Sequence, residues 1–171
     1  MSNVKDTFII EWVGPFNNKE ELRMWERKNN LNQEFKFYIL TGKTKGKQKV
    51  CSYCGITEQE YVYRRYANHP KFSSINRELN IWIGKFTDPK LAIRSNLEMC
   101  ETLLVSYWQC QLNNKKRKYY PATSLLIINR WFSLNLKPRV KRLYPVQSLS
   151  DVILYDCDDG EIWISEQLKK Y

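Results

Sequence analysis

Residues 35–57 read FKFYILTGKTKGKQKVCSYCGIT, two apolar runs joined by a basic turn that contains two glycines. The runs at 34–42 and 48–56 are rich in the aromatic and β-branched side chains that favour strands. Glycine adopts the positive φ angles of tight turns, so the basic segment between the runs predicts a chain reversal. We therefore predict a β-hairpin in which Tyr38 faces Tyr53 across the two strands.

The segment after this hairpin predicts a helix over residues 57–69. Thr57 is a capping residue with a glutamate three positions later, as in a capping box, and Pro70 stops the helix. Arg65 and His69 are four positions apart, so they share one helical face. The helix therefore presents a guanidinium and an imidazole together.

A longer helix is predicted over residues 89–111, opened by Asp88 as a cap with proline at the first helical position. Glu101 falls between Leu97 and Leu104 on the apolar stripe of this helix. A carboxylate is almost never left without a partner at a position that the helical period assigns to the core. Two interpretations of Glu101 stay open here, a functional carboxylate and one end of a buried ion pair.

These residues together resemble the GIY-YIG nuclease family, whose two name motifs lie one on each strand of a hairpin. The tyrosines of both motifs are kept, whereas the first glycine is replaced by lysine. The resemblance rests on Lys36-Phe37-Tyr38, Tyr53-Cys54-Gly55, Arg65 followed by His69, Glu101, and Asn129. It covers about residues 35–131. The gap before Arg65 is slightly long for the family, which leaves Arg64 open as the matching arginine.

The resemblance implies an endonuclease that hydrolyses phosphodiester bonds with Mg²⁺ or Mn²⁺ and needs no small-molecule organic cofactor. It implies that Glu101 binds the metal, that Arg65 grips the scissile phosphate and that Tyr38 activates water. These residue types suit the roles, because Mg²⁺ prefers carboxylate, phosphate and water oxygens and a guanidinium matches two phosphate oxygens.

The other implied members of the catalytic set are Tyr53, His69 and Asn129. Tyr53 and His69 are expected to orient water or phosphate, with His69 open as an alternative base. Taken singly, each of these residues also has an ordinary structural interpretation. Tyrosines are common packing residues of strands, and a histidine beside a proline is typical of a cap at a helix end.

The charge of the chain indicates a polyanionic partner. There are 28 Lys and Arg against 18 Asp and Glu, a formal net charge of +10. Such an excess attracts phosphate backbones over long range, so we expect DNA as the partner. The residues predicted to contact it are Arg64, Lys43, Lys45, Lys47, Lys115, Lys116, Arg117 and Lys118.

A chain of 171 residues, 43% of them hydrophobic, suits one domain over residues 1–171. We predict an α+β fold with a small antiparallel sheet flanked by helices. The GIY-YIG core spans 35–131, and 1–34 and 132–171 are extensions packed on it. The extensions carry a strand at 7–13, a helix at 18–29 and a β-hairpin at 151–165.

No run of the sequence approaches the ~18 apolar residues that cross a bilayer, and the first residues do not open a secretory signal. Five cysteines, an odd number without a regular framework, indicate reduced thiols. We therefore expect no membrane association and an intracellular, cytoplasmic location.

The absence of a second recognition module in the sequence favours a DNA endonuclease of restriction or phage-defence type. Cutting both strands of a palindromic site calls for a two-fold homodimer, which we expect as the working form. Three alternatives stay open: a catalytically inactive nucleic-acid-binding module, a protein-interaction factor, and a nuclease specific for single strands.

Overall fold

A computed structural model describes residues 6–29, 36–139 and 143–165. The fold is α+β, as the sequence predicts, and one mixed sheet of seven strands forms its centre. In chain order the elements are β1 (Asp6–Phe16), α1 (Lys19–Asn29), β2 (Lys36–Thr44), β3 (Cys51–Thr57), α2 (Val62–Asn68), α3 (Pro70–Ser74), β4 (Ile75–Phe86), a 3₁₀ turn (Pro89–Leu91), α4 (Arg94–Trp108), β5 (Leu125–Phe132), a second 3₁₀ turn (Val146–Ser148), β6 (Val152–Asp156) and β7 (Glu161–Ser165).

The strand order is β3-β2-β4-β1-β5-β6-β7, and every neighbouring pair is antiparallel except β1 and β5, which run parallel. The prediction of a small antiparallel sheet is therefore wrong in size and in the parallel β1–β5 pair, whereas the other described strand pairs are antiparallel as predicted. β1, which the sequence analysis assigns to an extension, lies between β4 and β5 in the middle of the sheet. Its Ile10 and Trp12 are fully buried, so the N-terminal segment is part of the hydrophobic core.

Both predicted hairpins are confirmed, β2 with β3 and β6 with β7. The helix predicted over 18–29 is also confirmed as α1. The helix predicted over 57–69 is wrong at its start, because Thr57 pairs with Lys36 as the last residue of β3, and α2 begins only at Val62. The expected capping box is therefore not formed.

The helix predicted over 89–111 is shorter than expected. Asp88 does act as a cap, but its side chain accepts from the backbone N–H of Lys90 in the 3₁₀ turn before α4. α4 ends at Gln109, whose left-handed φ of 51° closes the helix. Among the described residues, none of the helices has the length and apolar character needed to cross a membrane.

The two faces of the sheet pack against different helices. α4 covers one face, where Leu97 packs in a cluster with Trp12. Helices α1 to α3 cover the other, where Leu22 and Phe72 pack in a cluster with Ile83. Because both faces are covered, the first seven residues of β2 are all buried, and their apolar side chains form a continuous run.

Candidate active site

The two tyrosines of the resemblance meet where β2 pairs with the edge strand β3. Tyr38 lies opposite Gly55 and Tyr53 lies opposite Leu40, so the rings are diagonal neighbours and not directly opposed as predicted. Their ring centroids are 5.8 Å apart. A Cβ at Gly55 would lie 2.8 Å from the Tyr38 hydroxyl and 2.7 Å from Cε1 of Tyr53. The glycine therefore leaves the space in which the rings meet.

The Tyr38 side chain is fully buried and stacks on Phe72 with ring centroids 5.5 Å apart. Burial raises the pKa of Tyr38, whereas the Tyr53 hydroxyl and the Arg65 guanidinium lower it. The negative charge of Glu101 raises the pKa of Tyr38 further. The hydroxyl thus lies within electrostatic reach of both the arginine and the glutamate of the predicted site.

His69 connects α2 to α3, since it is the C-cap of the first helix and the N-cap of the second. Its Nδ1 accepts from the backbone N–H of Lys71 at 3.3 Å, and its Nε2 lies 3.2 Å from the hydroxyl of Tyr53. A neutral imidazole carries one donor and one acceptor nitrogen. Because Nδ1 accepts, we assign the proton to Nε2, which donates to Tyr53.

This assignment sets a direction for the hydrogen bonds around the tyrosines. The Tyr53 hydroxyl accepts from His69, so its own proton is available to Tyr38, and Tyr53 indeed lowers the pKa of Tyr38. Burial raises the pKa of Tyr53 well above its ordinary value, so Tyr53 keeps that proton. Burial also lowers the pKa of His69, which favours its neutral form. Of the two phenols, Tyr38 is the one arranged to accept a proton.

Of the two candidate arginines, the structure brings Arg65 to the tyrosines. Arg65 lines a cavity of about 250 Å³ together with Thr57 and Arg94, and its buried Nε has no hydrogen-bond partner in the described part of the chain. Arg64 is exposed instead, pairs with Glu60 at 3.5 Å and lies over the ring of Tyr61, the N-cap of α2. Arg65 is therefore the arginine that acts on Tyr38, although none of the described residues lining this cavity is a tyrosine.

Glu101 occupies the buried position that the helical period predicts, with 8% of the residue exposed. Its Oε2 lies 2.5 Å from Nζ of Lys116, so Glu101 is also one end of an ion pair, as the second interpretation expects. Burial raises the pKa of Glu101, and Lys116 lowers it. The charge of Glu101 also raises the pKa of Tyr53. One carboxylate therefore acts on both tyrosines.

Asn129 is not brought to the tyrosines. It lies on β5, which is separated from β2 by β4 and β1. Its Oδ1 accepts from Nε1 of Trp12 at 2.8 Å, and its Nδ2 donates to the Ser150 carbonyl at 2.9 Å. Because both ends of the buried amide are used within the core, Asn129 has a packing role in the structure and is left out of the candidate site.

The basic residues predicted to contact DNA differ in exposure to solvent and in ion pairing. Lys43 pairs with Glu78 at 2.5 Å, and Lys116 is held by Glu101. Because β2 ends at Thr44, Lys45 and Lys47 lie outside the strand, and the alternation of side chains between the two strand faces does not extend to them. The exposed members of the set are Arg64, Lys45, Lys47, Lys115, Arg117 and Lys118.

A metal at this site would depend on Glu101. Within residues 6–29, 36–139 and 143–165, no group of three or more His, Cys, Asp and Glu side chains is arranged to hold a metal ion. Mg²⁺, however, is commonly held by one or two carboxylates together with substrate phosphates and water. The buried carboxylate of Glu101 fits that kind of binding.

One part of the site was missed by the sequence analysis. Lys36, which replaces the first motif glycine, is buried and donates from Nζ to the carbonyl of Glu60. The neighbouring carboxylate of Glu26 accepts from the backbone N–H groups of Val62 at 2.8 Å and Tyr63 at 2.9 Å. α1 therefore caps the N-terminus of α2, which carries Arg65. The sequence signal for this contact was Glu26, which directly follows Trp25 on the apolar edge of α1.

Comparison with known proteins gives no family model that matches the chain. No curated protein and no solved structure matches it significantly either.

Proposed function

We propose that this chain is a metal-dependent DNA endonuclease of the GIY-YIG type, which hydrolyses phosphodiester bonds with Mg²⁺ or Mn²⁺. The observation that carries the proposal is the convergence on Tyr38. Burial and the charge of Glu101 on α4 raise its pKa, while Tyr53 and Arg65 lower it. These groups come from three separate elements. A cluster of titratable groups that perturb one another is a recognised mark of a functional site.

Each residue has a chemical task in this proposal. Arg65, whose Nε has no hydrogen-bond partner in the described residues, holds the scissile phosphate, and Glu101 binds the divalent ion. When bound, that ion supplies positive charge that stabilises the phosphate oxygens and the leaving alkoxide. Tyr38 first loses its own proton to solvent, and the resulting phenolate accepts the proton of the attacking water. Tyr53 donates a hydrogen bond that stabilises this phenolate. His69 fixes the orientation of the Tyr53 hydroxyl.

DNA is the proposed substrate because the chain carries a formal net charge of +10 and exposes lysines at the tip of the first hairpin and after α4. A restriction or phage-defence role, with a homodimer cutting both strands, is part of the same proposal. All five cysteines are free thiols, which supports a cytoplasmic setting for it.

One observation favours a second candidate, a catalytically inactive nucleic-acid-binding module. Lys116 neutralises the carboxylate that the proposal assigns to the metal. In a silent module, that ion pair would be permanent and the basic surface alone would act on DNA.

A cleavage assay separates these functions. Purified protein is incubated with linear duplex and single-stranded DNA in Mg²⁺, in Mn²⁺ or in a chelator, and fragment ends are sequenced. We expect metal-dependent cleavage that Glu101→Ala abolishes without loss of DNA binding, whereas Glu98→Ala, a half-buried residue of the same helix that pairs with Arg94, keeps activity. Binding without cleavage in either metal would overturn the nuclease proposal. Cleavage of the single strand alone would restrict the substrate.

A further inference from the structure

Lys116 differs from the basic residues around it. Lys115, Arg117 and Lys118 are exposed, whereas the Lys116 side chain is 32% exposed and its ammonium contacts Glu101 at 2.5 Å. The backbone of Lys116 has a φ of 69°, in the left-handed region that lysine rarely adopts. The chain thus turns at this residue so that one lysine of the basic segment points inward.

The segment that carries Lys116 starts from a fixed base. Leu112 donates its backbone N–H to the Ser52 carbonyl at 3.0 Å, and the Asn113 amide bonds both the N–H and the carbonyl of Cys54. These contacts cover the outer edge of β3, the strand of Tyr53. Beyond Asn113, apart from the Lys116–Glu101 pair, the side-chain hydrogen bonds of the segment are exposed to solvent: Lys71 to Asn114 at 3.5 Å, Gln109 to the Arg117 carbonyl at 3.2 Å, and Arg117 to Gln109 at 3.4 Å. Release of Lys116 from Glu101 would therefore break exposed contacts and leave the anchor on β3 in place.

The position of the Lys116 ammonium matters because Glu101 is the carboxylate proposed to bind a metal. Mg²⁺ sits about 2.0 to 2.1 Å from its ligand oxygens. The ammonium lies 2.5 Å from Oε2 of Glu101. Two cations cannot share this position, since they would overlap and repel each other.

We propose that Lys116 is an internal cation that occupies the metal position on Glu101 in the metal-free protein. The divalent ion and the basic segment at residues 114–119 are then alternative partners of one carboxylate. Metal binding displaces Lys116, whose ammonium becomes available to a substrate phosphate beside the exposed Lys115 and Arg117. The inference rests on the metal role of Glu101 in the proposed function and adds a positioning residue to that site.

Metal binding without DNA tests this inference directly. We would measure the dissociation constant for Mn²⁺ by electron paramagnetic resonance for wild type, Lys116→Met and Lys116→Gln. Removing a unit positive charge beside the ligand should tighten Mn²⁺ binding by about tenfold or more. Lys118→Met, in the same segment but exposed, should bind within about twofold of wild type because its charge is screened by solvent. Glu101→Gln should abolish binding.

A second measurement follows the segment itself. Trypsin cleaves after Lys and Arg, so Mn²⁺ should speed cleavage at residues 115–118 of wild type and leave the Glu101→Gln variant unchanged. Equal or weaker Mn²⁺ binding in both folded Lys116 variants, or no binding in any variant, would overturn the inference. Because no DNA is present, the result is independent of nuclease activity. A protein that shows the Mn²⁺ shift but does not cut DNA would refute only the proposed nuclease function.

Discussion

The imidazole Nε2 of His69 lies 3.2 Å from the hydroxyl of Tyr53, although the two residues belong to different elements of the chain. His69 stands between two helices, and Tyr53 lies on the edge strand of the sheet. Because Nδ1 accepts from the backbone N–H of Lys71, Nε2 of His69 is the donor and the Tyr53 hydroxyl is the acceptor. A base that takes a proton from water would need a free acceptor, which His69 does not present in this state. In the proposed mechanism this contact favours Tyr38 over His69 as the base.

The pKa of His69 predicts a pH dependence of stability. Burial, and then the charges of Arg65 and Lys71, lower this pKa below its ordinary value of 6.5. As pH falls below about 6.5, the unfolded chain takes up a proton that the folded site resists, so the free energy of unfolding decreases toward the folded pKa. Urea unfolding from about pH 7 to pH 5 should show a steeper loss for wild type than for His69→Gln. Parallel curves would refute the low pKa. Carboxylates that titrate in the same pH range are present in both wild type and His69→Gln, so they do not alter the difference between the two curves.

Removal of the Tyr38 hydroxyl should affect chemistry without unfolding the protein. Tyr38→Phe keeps the stack on Phe72, so we expect an unchanged melting temperature and a cleavage rate at least about 100-fold lower in single-turnover assays. Tyr66→Phe, which changes another ring in contact with Phe72, serves as the matched control and should keep the rate. A Tyr38→Phe rate near that of wild type would remove Tyr38 as the base.

The wild-type cleavage rate should also rise with pH. Burial raises the pKa of Tyr38, so the proton-accepting phenolate is the minor form near neutral pH and increases as pH rises. A pH–rate profile measured in saturating Mg²⁺ tests this, with Tyr38→Phe losing the slope. A rate independent of pH from about 7 to 9 would contradict a tyrosine base.

A methyl group at Gly55 should disturb both tyrosines. The added Cβ would lie under 3 Å from atoms of Tyr38 and Tyr53, so the rings must shift from their present contact. We expect Gly55→Ala to lose about 1 to 3 kcal/mol of stability through overpacking and to lose most cleavage activity. Gly160→Asn is a suitable control, since nothing lies within 4 Å of that Cβ and asparagine tolerates its φ of 69°. Full activity in Gly55→Ala would show that the ring arrangement is not needed.

Glu26 should be important for stability although it is remote in sequence from the site. Glu26→Ala removes two hydrogen bonds from the start of α2 and leaves the buried Lys36 without this carboxylate, which we expect to cost about 3 kcal/mol. Urea unfolding measures the loss. Glu20→Ala, in the same helix but exposed, should change stability by less than about 1 kcal/mol. A double variant, Glu26→Gln with Lys36→Met, should recover part of the loss, and failure to do so would argue against charge compensation.

DNA affinity should depend on the free lysines of the first hairpin. Lys45 and Lys47 are exposed, while Lys43 is paired with Glu78. Changing Lys45 and Lys47 to alanine should reduce the slope of log affinity against log salt by about 1 to 2 without altering metal dependence. Lys28→Ala, exposed on α1, is the control for loss of a positive charge away from the hairpin. A slope equal to that of wild type would remove the hairpin tip from the DNA contact surface.

Local sequence patterns were sufficient for the elements whose signals are short-range. The two hairpins followed from apolar runs around glycine-containing turns, and α1 followed from its helical periodicity. The burial of Glu101 also followed from periodicity, because a position on a helix stripe fixes the direction of its side chain. The predicted start of α2 is wrong because threonine is a typical helix cap, whereas pairing with Lys36 keeps Thr57 in β3.

The sequence by itself determined the α+β class, the two hairpins, the excess positive charge and the buried place of Glu101, since each depends on local periodicity or on composition. Only the tertiary structure decided the rest. It inserted β1 between β4 and β5, brought Arg65 rather than Arg64 to Tyr38, withdrew Asn129 into the core, and set Lys116 on Glu101. These outcomes depend on contacts between residues far apart in the chain. Such contacts set the strand order and the side-chain partners, and no local sequence pattern predicts them.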